Sequence, residues 1–202
     1  RIGAANTLTF TEDGIEADNT DAYGFAQNIR DAHPDWAPKT VALIGAGGAS
    51  RAVIVALQDA GAQEIRLANR TRSRAEELAG DLGDGITVLP WEDRAEMLAG
   101  CDTLINGTAM GMVGEPPLDL DLSALPASAI VTDLVYAPLE TPLLAMARAR
   151  GNPVVDGLGM LLHQAAPGFA RWFGRRPEVD EALRRACAAS ASASARSWVT
   201  RA

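Results

Sequence analysis

The sequence predicts an α/β chain built around a doubly wound parallel sheet, and three observations carry that prediction. From Thr40 onward, short wholly apolar runs alternate with helix-patterned segments. The first of those runs passes directly into a glycine-rich turn that opens a helix. The segments at either end of this series break its rhythm. Continuous apolar strands separated by helices are what a parallel sheet covered on both faces requires, with right-handed crossovers joining the strands.

Taken in order, Val41 to Ile44 reads as a strand and Ala49 to Ala60 as a helix that stops at Gly61. Ile65 to Ala68 is the second strand and Ser73 to Leu82 the second helix. Ile86 to Leu89 follows as a strand, then a short helix from Glu92 to Leu98. Thr103 to Ile105 and Ile130 to Leu134 are further strands. A helix from Pro142 to Arg150 begins on a proline, whose missing N–H costs nothing in the first turn. Pro153 to Val155 closes the series. Ahead of it stand an alternating stretch, Thr7 to Phe10, a turn at Glu12-Asp13-Gly14, and a helix from Ala22 to Arg30 that Asn19, Thr20 or Asp21 could cap. Behind it, Leu158 to Phe173 and Glu178 to Cys187 read as helices, and the Ala/Ser-rich stretch from Ala188 to Ala202 as a disordered tail.

Bulk composition narrows the function classes. The 202 residues are 48% hydrophobic and 22% charged, as in an ordinary globular protein, and carry a formal charge of −8. That charge disfavours nonspecific binding to nucleic acid or an acidic membrane. Apolar runs are too short to span a bilayer. Cys101 and Cys187 lack CxxC spacing and read as free thiols of a reducing cytoplasm, and with only His33 and His163 no metal site is expected. The opening on Arg1-Ile2-Gly3 reads as a fragment.

The strongest local signal is Gly45-Ala46-Gly47-Gly48-Ala49-Ser50 between the first strand and its helix. Glycines there permit a tight turn and the close approach of a pyrophosphate to free N–H groups at a helix N-terminus. A tight turn that binds nothing is the alternative. The third position of the fingerprint holds Ser50 in place of Gly or Ala. About twenty residues further on, a dinucleotide site must handle the adenosine ribose, with an acid for a free 2′-hydroxyl or arginine for a 2′-phosphate. Here Asn69-Arg70-Thr71-Arg72-Ser73-Arg74 offers arginines and hydroxyls and no acid, which points to NADP over a merely solvated basic loop.

With the remaining segments added, the chain resembles the shikimate dehydrogenase family. The likeness runs in order through Gly3-Ala4-Ala5-Asn6-Thr7, Asp18-Asn19-Thr20-Asp21-Ala22-Tyr23-Gly24, the glycine turn and Asn69-Arg70-Thr71. It continues through Asn106-Gly107-Thr108-Ala109-Met110-Gly111, Asp133-Leu134-Val135-Tyr136 and Gly157 to Gln164. The resemblance implies a Rossmann-like NADP-binding domain over 21–156, with residues 1–20 and 157–187 as remnants of a second α/β substrate domain. It implies reversible hydride transfer between NADPH and 3-dehydroshikimate, giving shikimate, in a cytoplasmic enzyme that is monomer or homodimer. Asn6, Asp21, Tyr136 and Gln164 would bind substrate, with Asp21 catalytic beside a lysine. Gly45, Ala46, Gly47, Gly48, Ala49, Asn69, Arg70, Thr71, Arg74, Asn106, Thr108, Gly157 and Met160 would bind the cofactor.

The sole lysine, Lys39, precedes the first strand and suits a solvated loop. The family's catalytic lysine belongs to an N-terminal segment these residues lack, so this polypeptide is expected to bind cofactor but catalyse poorly or not at all. Smaller departures are Ala5 for a commoner valine, Ala22 for a glycine, and Gly107 where a bulkier small residue is usual. An NAD-dependent quinate/shikimate dehydrogenase and a non-catalytic dinucleotide-binding module are the competing readings.

Overall fold

A computed structural model describes residues 1–189. Its centre is a parallel sheet of six strands, β3 (Thr40–Ile44), β4 (Glu64–Ala68), β5 (Ile86–Leu89), β6 (Thr103–Asn106), β7 (Ile130–Asp133) and β8 (Val154–Val155), in the spatial order β5-β4-β3-β6-β7-β8. Strand order reverses direction between β3 and β6, which makes that junction the switch point of a doubly wound sheet, where open α/β folds bind ligands.

Both faces of the sheet are covered, as wholly apolar strands require. Val41 and Leu43 of β3 pack into one core cluster, Ala42 and Ile44 into the other. The first cluster takes side chains from α1 (Asp21–Ala32), α2 (Gly48–Asp59), α3 (Arg72–Leu82) and α5 (Leu158–Phe173). The second takes them from α4 (Pro142–Ala149) and from the Met97, Leu98 and Leu118 to Leu125 connections. Thr141 caps α4, its hydroxyl accepting from the Leu144 N–H, with Pro142 behind it in the first turn.

The structure departs from the sequence reading in a few places. Residues 92–98 form two 3₁₀ turns, Glu92–Arg94 and Glu96–Leu98, because adjacent Met97 and Leu98 are both buried and no helical stripe exists to propagate a longer helix. Gly14–Asp18 is a second strand, β2, paired antiparallel with β1 (Thr7–Thr11); its residues are largely exposed, so burial left no alternation to read. The last helix runs over 181–189, not from Glu178, since Asp180 caps it by accepting from the Leu183 N–H at 2.8 Å. Ala188 and Ala189, placed in the tail by the sequence reading, are therefore helical, and the rest of that tail lies outside the described residues. At the start of α1 the cap falls to Asn19, whose Oδ1 accepts from the Asp21 N–H at 2.9 Å; Thr20, at the N-cap position, makes no side-chain cap bond.

α1 and α5 cross closely and place the residues ahead of the sheet against those behind it. A Cβ at Gly24 would stand 2.7 Å from Gln164 Cβ and from the Met160 carbonyl oxygen, and one at Gly159 would stand 1.8 Å from Asn28 Oδ1. Asn28 donates to the Asp156 carbonyl at 2.7 Å, pinning the residue just before Gly157. Arg51, in the first turn of α2, donates to the Ile2 carbonyl at 2.9 Å and pairs with Asp81 at 2.6 Å, fastening the N-terminal segment to the sheet domain.

Candidate functional site

The glycine turn sits at the C-terminal end of β3, at the switch point. Gly45 has φ +105°, and a Cβ there would stand 2.8 Å from Thr108 Cγ2 and 2.9 Å from the Gly107 carbonyl carbon. Only glycine meets both demands. Gly48 begins α2 with open space where a Cβ would be, so backbone N–H groups at the helix N-terminus face an accessible volume. The turn is held from both sides. The Gly45 N–H donates to the Ala68 carbonyl at 2.8 Å, and the Ala46 N–H donates to Asn69 Oδ1 at 3.2 Å. Asn69 Nδ2 donates in turn to the Thr71 carbonyl at 2.8 Å, so the end of β4 and the turn share one geometry. Ser50, fully buried, donates from its hydroxyl to the Gly45 carbonyl at 2.8 Å.

On one side of the turn lies a groove of about 200 Å³ lined by Gly45, Ala46, Gly47, Asn69, Arg70, Arg74, Trp91, Gly107, Thr108, Ala109, Met110 and Glu115. Of the arginines in the loop after β4, Arg72 pairs with Glu76 at 2.7 Å along α3. Arg70 and Arg74 line the groove and join no ion pair among the described residues. Thr71 is the N-cap residue of α3 and does not line the groove.

The far wall of this groove is a loop held from beneath. Asn106, fully buried, donates to the Met110 carbonyl and to Asp133 Oδ1, each at 3.0 Å. Its own Oδ1 accepts from the Thr108 N–H at 3.1 Å and the Thr108 hydroxyl at 2.7 Å. Asp133 also accepts from the Val135 N–H at 3.0 Å and the Thr141 hydroxyl at 2.7 Å. Burial pushes the Asp133 carboxyl above its ordinary value, and the donors from Thr141, Val135 and Asn106 pull the other way without cancelling it. The side chains of Asn106 and Thr108 are thus spent on shaping the loop.

On the other side of the turn a second groove of about 210 Å³ is lined by Asn6, Asp21, Ala49, Leu134, Tyr136, Gly157, Met160, Leu161 and Gln164. Asn6 Nδ2 donates to Asp21 Oδ1 at 2.8 Å, to Thr20 Oγ1 at 3.0 Å and, more weakly, to Gln164 Oε1 at 3.3 Å. Thr20 Oγ1 donates to the Gln164 carbonyl at 2.7 Å, tying the start of α1 to the middle of α5. Residues 6, 21, 136 and 164, far apart in sequence, thereby share one cavity with Gly157 and Met160. Gly157 has no room for a side chain, since a Cβ would stand 2.4 Å from the Leu134 carbonyl oxygen. Ala49 belongs to this second groove and Gly45 to Gly47 to the first, so the turn forms the partition between them.

A further cavity of about 410 Å³ lies away from this chemistry, between α1, α5 and the helix over 181–189. Its polar lining is spent on structure: His163 Nε2 pairs with Asp31 at 2.8 Å, and Arg184 pairs with Asp156. Sequence reasoning missed Thr20 as the link between Asn6 and Gln164, and the fixing of the 106–110 loop by Asp133. The Asp-x₇-Thr spacing of Asp133 and Thr141 carried no signal by itself. Trp91 and Glu115, which reach the first groove from the loops after β5 and β6, were also missed.

Comparison with known proteins agrees with this geometry. The family described as shikimate / quinate 5-dehydrogenase matches residues 26–113, and the shikimate 5′-dehydrogenase C-terminal domain matches residues 157–187. The chain is 60% identical over 187 residues to the shikimate dehydrogenase (NADP(+)) of Paramagnetospirillum magneticum, covering 91% of this chain and 68% of that protein. It is 59% identical to the enzyme of the same name from Dinoroseobacter shibae, covering 93% and 69%. Among solved structures, quinate dehydrogenase from Corynebacterium glutamicum in complex with NAD superposes with a TM-score of 0.84 at 33% identity, covering 91% of this chain and 67% of that one. Shikimate 5-dehydrogenase from Thermus thermophilus in complex with NADP(H) and shikimate gives 0.78 at 35% identity, covering 94% and 69%. At 60% identity to a relative of which it covers more than two thirds, and with the same fold in the solved structures, the chain belongs to the shikimate dehydrogenase family.

Proposed function

We propose that these residues form the cofactor-binding part of an NADP-dependent shikimate dehydrogenase, with 3-dehydroshikimate and shikimate as the small-molecule substrate pair. The observation that carries the reading is the pair of grooves divided by one glycine turn, arginine-lined on one side and carrying Asn6, Asp21, Tyr136 and Gln164 on the other. A dinucleotide laid across the turn would have its pyrophosphate at the N-terminus of α2 and one nucleoside in each groove. The residues fit such a group: Gly45 and Gly48 leave the approach clear, and Arg70 and Arg74 stand where a 2′-phosphate needs fixed positive charge.

Bound NADPH supplies the hydride. The chain's own residues orient and hold. Gly157 and Met160 line the second groove and would form the wall against the nicotinamide. Asp21 has one oxygen committed to Asn6 and the other available to accept from a substrate hydroxyl. Gln164, bonded to Asn6 and to the Leu161 carbonyl, brackets the ring from α5, and Tyr136 closes the opposite edge.

Reduction of a ketone also needs a proton at the developing alkoxide, and an amine beside a carboxylate is a good donor at neutral pH. The only lysine, Lys39, has its N–H bonded to Asp102 at the start of β3, at the opposite end of the strand from Gly45. At ~3.3 Å per residue that separation is on the order of 20 Å. The amine partner of Asp21 must come from outside these residues, so the polypeptide binds cofactor and turns over poorly or not at all alone. Cytoplasmic residence and a monomeric or homodimeric state accompany this reading. Among the described residues, no helix is long and apolar enough to cross a membrane.

The test is a fluorescence titration of the 202-residue protein with NADPH and, separately, NADH. NADPH is expected to bind at least tenfold more tightly, roughly 1.4 kcal/mol, with Arg70→Ala removing the preference. Equal affinity for both would sink the 2′-phosphate assignment and favour the NAD-dependent quinate reading, to which the likeness at TM-score 0.84 lends weight.

A further inference from the structure

The arginine-lined groove contains an aromatic side chain that phosphate recognition leaves without a part. Trp91 lies just past the end of β5, is half-buried, and lines the groove together with Arg70, Arg74 and Met110. The order β5-β4-β3-β6 gathers the loops after β4, β5 and β6 around this groove. In such a sheet the adenosine end of a dinucleotide rests over those strand ends. Adenine has two apolar faces, and Trp91 is the one aromatic side chain in this groove's lining that could receive one of them.

Trp91 is fixed before any ligand arrives. It packs against the core cluster beneath the sheet, as Met110 does. The Arg94 guanidinium lies over the indole, 4.9 Å from the ring centroid. Arg94 is itself held, donating to the Trp91 carbonyl at 3.1 Å and to the Asp119 carbonyl at 3.0 Å, with the Asp119 carboxylate 3.6 Å away. An aromatic ring locked in this way loses little freedom on binding, and a cation over its face adds to its hold.

We propose that Trp91 is an adenine-binding residue: its indole forms the wall on which the adenine ring of NADP stacks, with Arg94 positioning the indole. Arg70 and Arg74 then read the 2′-phosphate while Trp91 grips the base, so affinity for the adenosine end is shared between charge and stacking. The inference rests on the reading of this groove as an NADP site, and the experiment separates the two.

The 202-residue protein and its Trp91→Leu and Trp91→Phe variants are titrated calorimetrically with NADPH and with adenosine 2′,5′-bisphosphate, which carries the base and the 2′-phosphate without the nicotinamide. Leucine keeps apolar bulk over the core and removes the flat face; far-UV circular dichroism and a melting curve confirm that each variant is folded. Trp91→Leu is expected to weaken both ligands about tenfold, by the same factor, and Trp91→Phe to restore binding to within about threefold. Failure of the unsubstituted protein to bind either ligand would remove the NADP reading and this inference with it. Tight binding by the unsubstituted protein and unchanged binding by folded Trp91→Leu would overturn the Trp91 assignment alone. A loss seen with NADPH but not with the bisphosphate would do the same, because it would put Trp91 at the nicotinamide end.

Discussion

Substituting aspartate for Asn106 turns the loop that walls the cofactor groove into a pH-dependent element. The replacement keeps the shape of the side chain and exchanges its two donor hydrogens for acceptor capacity. Acceptance from the Thr108 N–H and hydroxyl survives, at 3.1 and 2.7 Å. The donations to the Met110 carbonyl and Asp133 Oδ1 are lost, and a new carboxylate oxygen stands 3.0 Å from the old one in a fully buried site. Two carboxylates this close cannot both be ionised at ordinary cost. Two lost buried bonds and an uncompensated charge come to about 4 kcal/mol at pH 8; a proton shared between the oxygens brings that to about 1 kcal/mol at pH 5. Asp133 alone sets the sign: burial raises its folded-state value, so its contribution is fullest in acid and falls as pH rises through that value. N106D steepens the same slope. Urea midpoints of both proteins at pH 5 and pH 8, with NADPH titrations alongside, measure it. An equal loss at both pH values would refute the idea that Asn106 and Asp133 act as one unit.

Gly45→Ala adds a Cβ at φ +105°, 2.8 Å from Thr108 Cγ2, so it is expected to cost about 2–3 kcal/mol and to weaken NADPH binding more than tenfold. A loss of stability with unchanged affinity, read by melting and titration, would place the pyrophosphate elsewhere. Cys101 is buried and its thiol is pushed up to about 11, chiefly by desolvation, whereas Cys187 is partly exposed. A disulfide reagent at pH 8 is therefore expected to titrate one thiol quickly and the second only on unfolding, and two fast thiols would contradict the packing around Arg66 and Met97.

The sheet was legible because burial on both faces writes itself as unbroken apolar runs, and each predicted strand lies within a residue of its place. The glycine turn was legible for a different reason, since a tight strand-to-helix turn excludes side chains at fixed positions. Neither signal reaches β2, whose residues are largely exposed, nor the 92–98 connection, where short 3₁₀ turns leave no periodicity. Asn6, Asp21 and Gln164 are adjacent through the crossing of α1 on α5, and that crossing is set by Gly24 and Gly159 against bulkier partners. Nothing in a single sequence distinguishes a helix glycine that admits a neighbour from one that merely weakens a helix. The second groove was reached through a family resemblance; of the first, the glycine turn and the Asn69 to Arg74 loop were reached from the residues and Thr108 through the resemblance, while Trp91 and Glu115 arrive from loops whose direction only the fold decides.

Two of the departures noted in the sequence are one feature in the structure. Ser50 stands where the dinucleotide fingerprint favours Gly or Ala, and Gly107 where the family favours a bulkier residue. A Cβ on Gly107 would lie 2.8 Å from Ser50 Oγ, 3.2 Å from the Ile44 carbonyl oxygen and 3.3 Å from Leu43 Cδ1. The serine hydroxyl occupies the space that a side chain at 107 would claim, and uses it to hold the Gly45 carbonyl at 2.8 Å. Gly107→Ala is therefore expected to cost about 2 kcal/mol in this protein, from overpacking beside a buried polar group. In a Ser50→Ala background the worst contact disappears while the other two remain, so the same change should cost about 1 kcal/mol less, a coupling within the range for touching residues. Thermal or urea unfolding of the two single variants and the double variant closes the cycle. Additivity would mean that the turn relaxes around residue 107 without help from the serine.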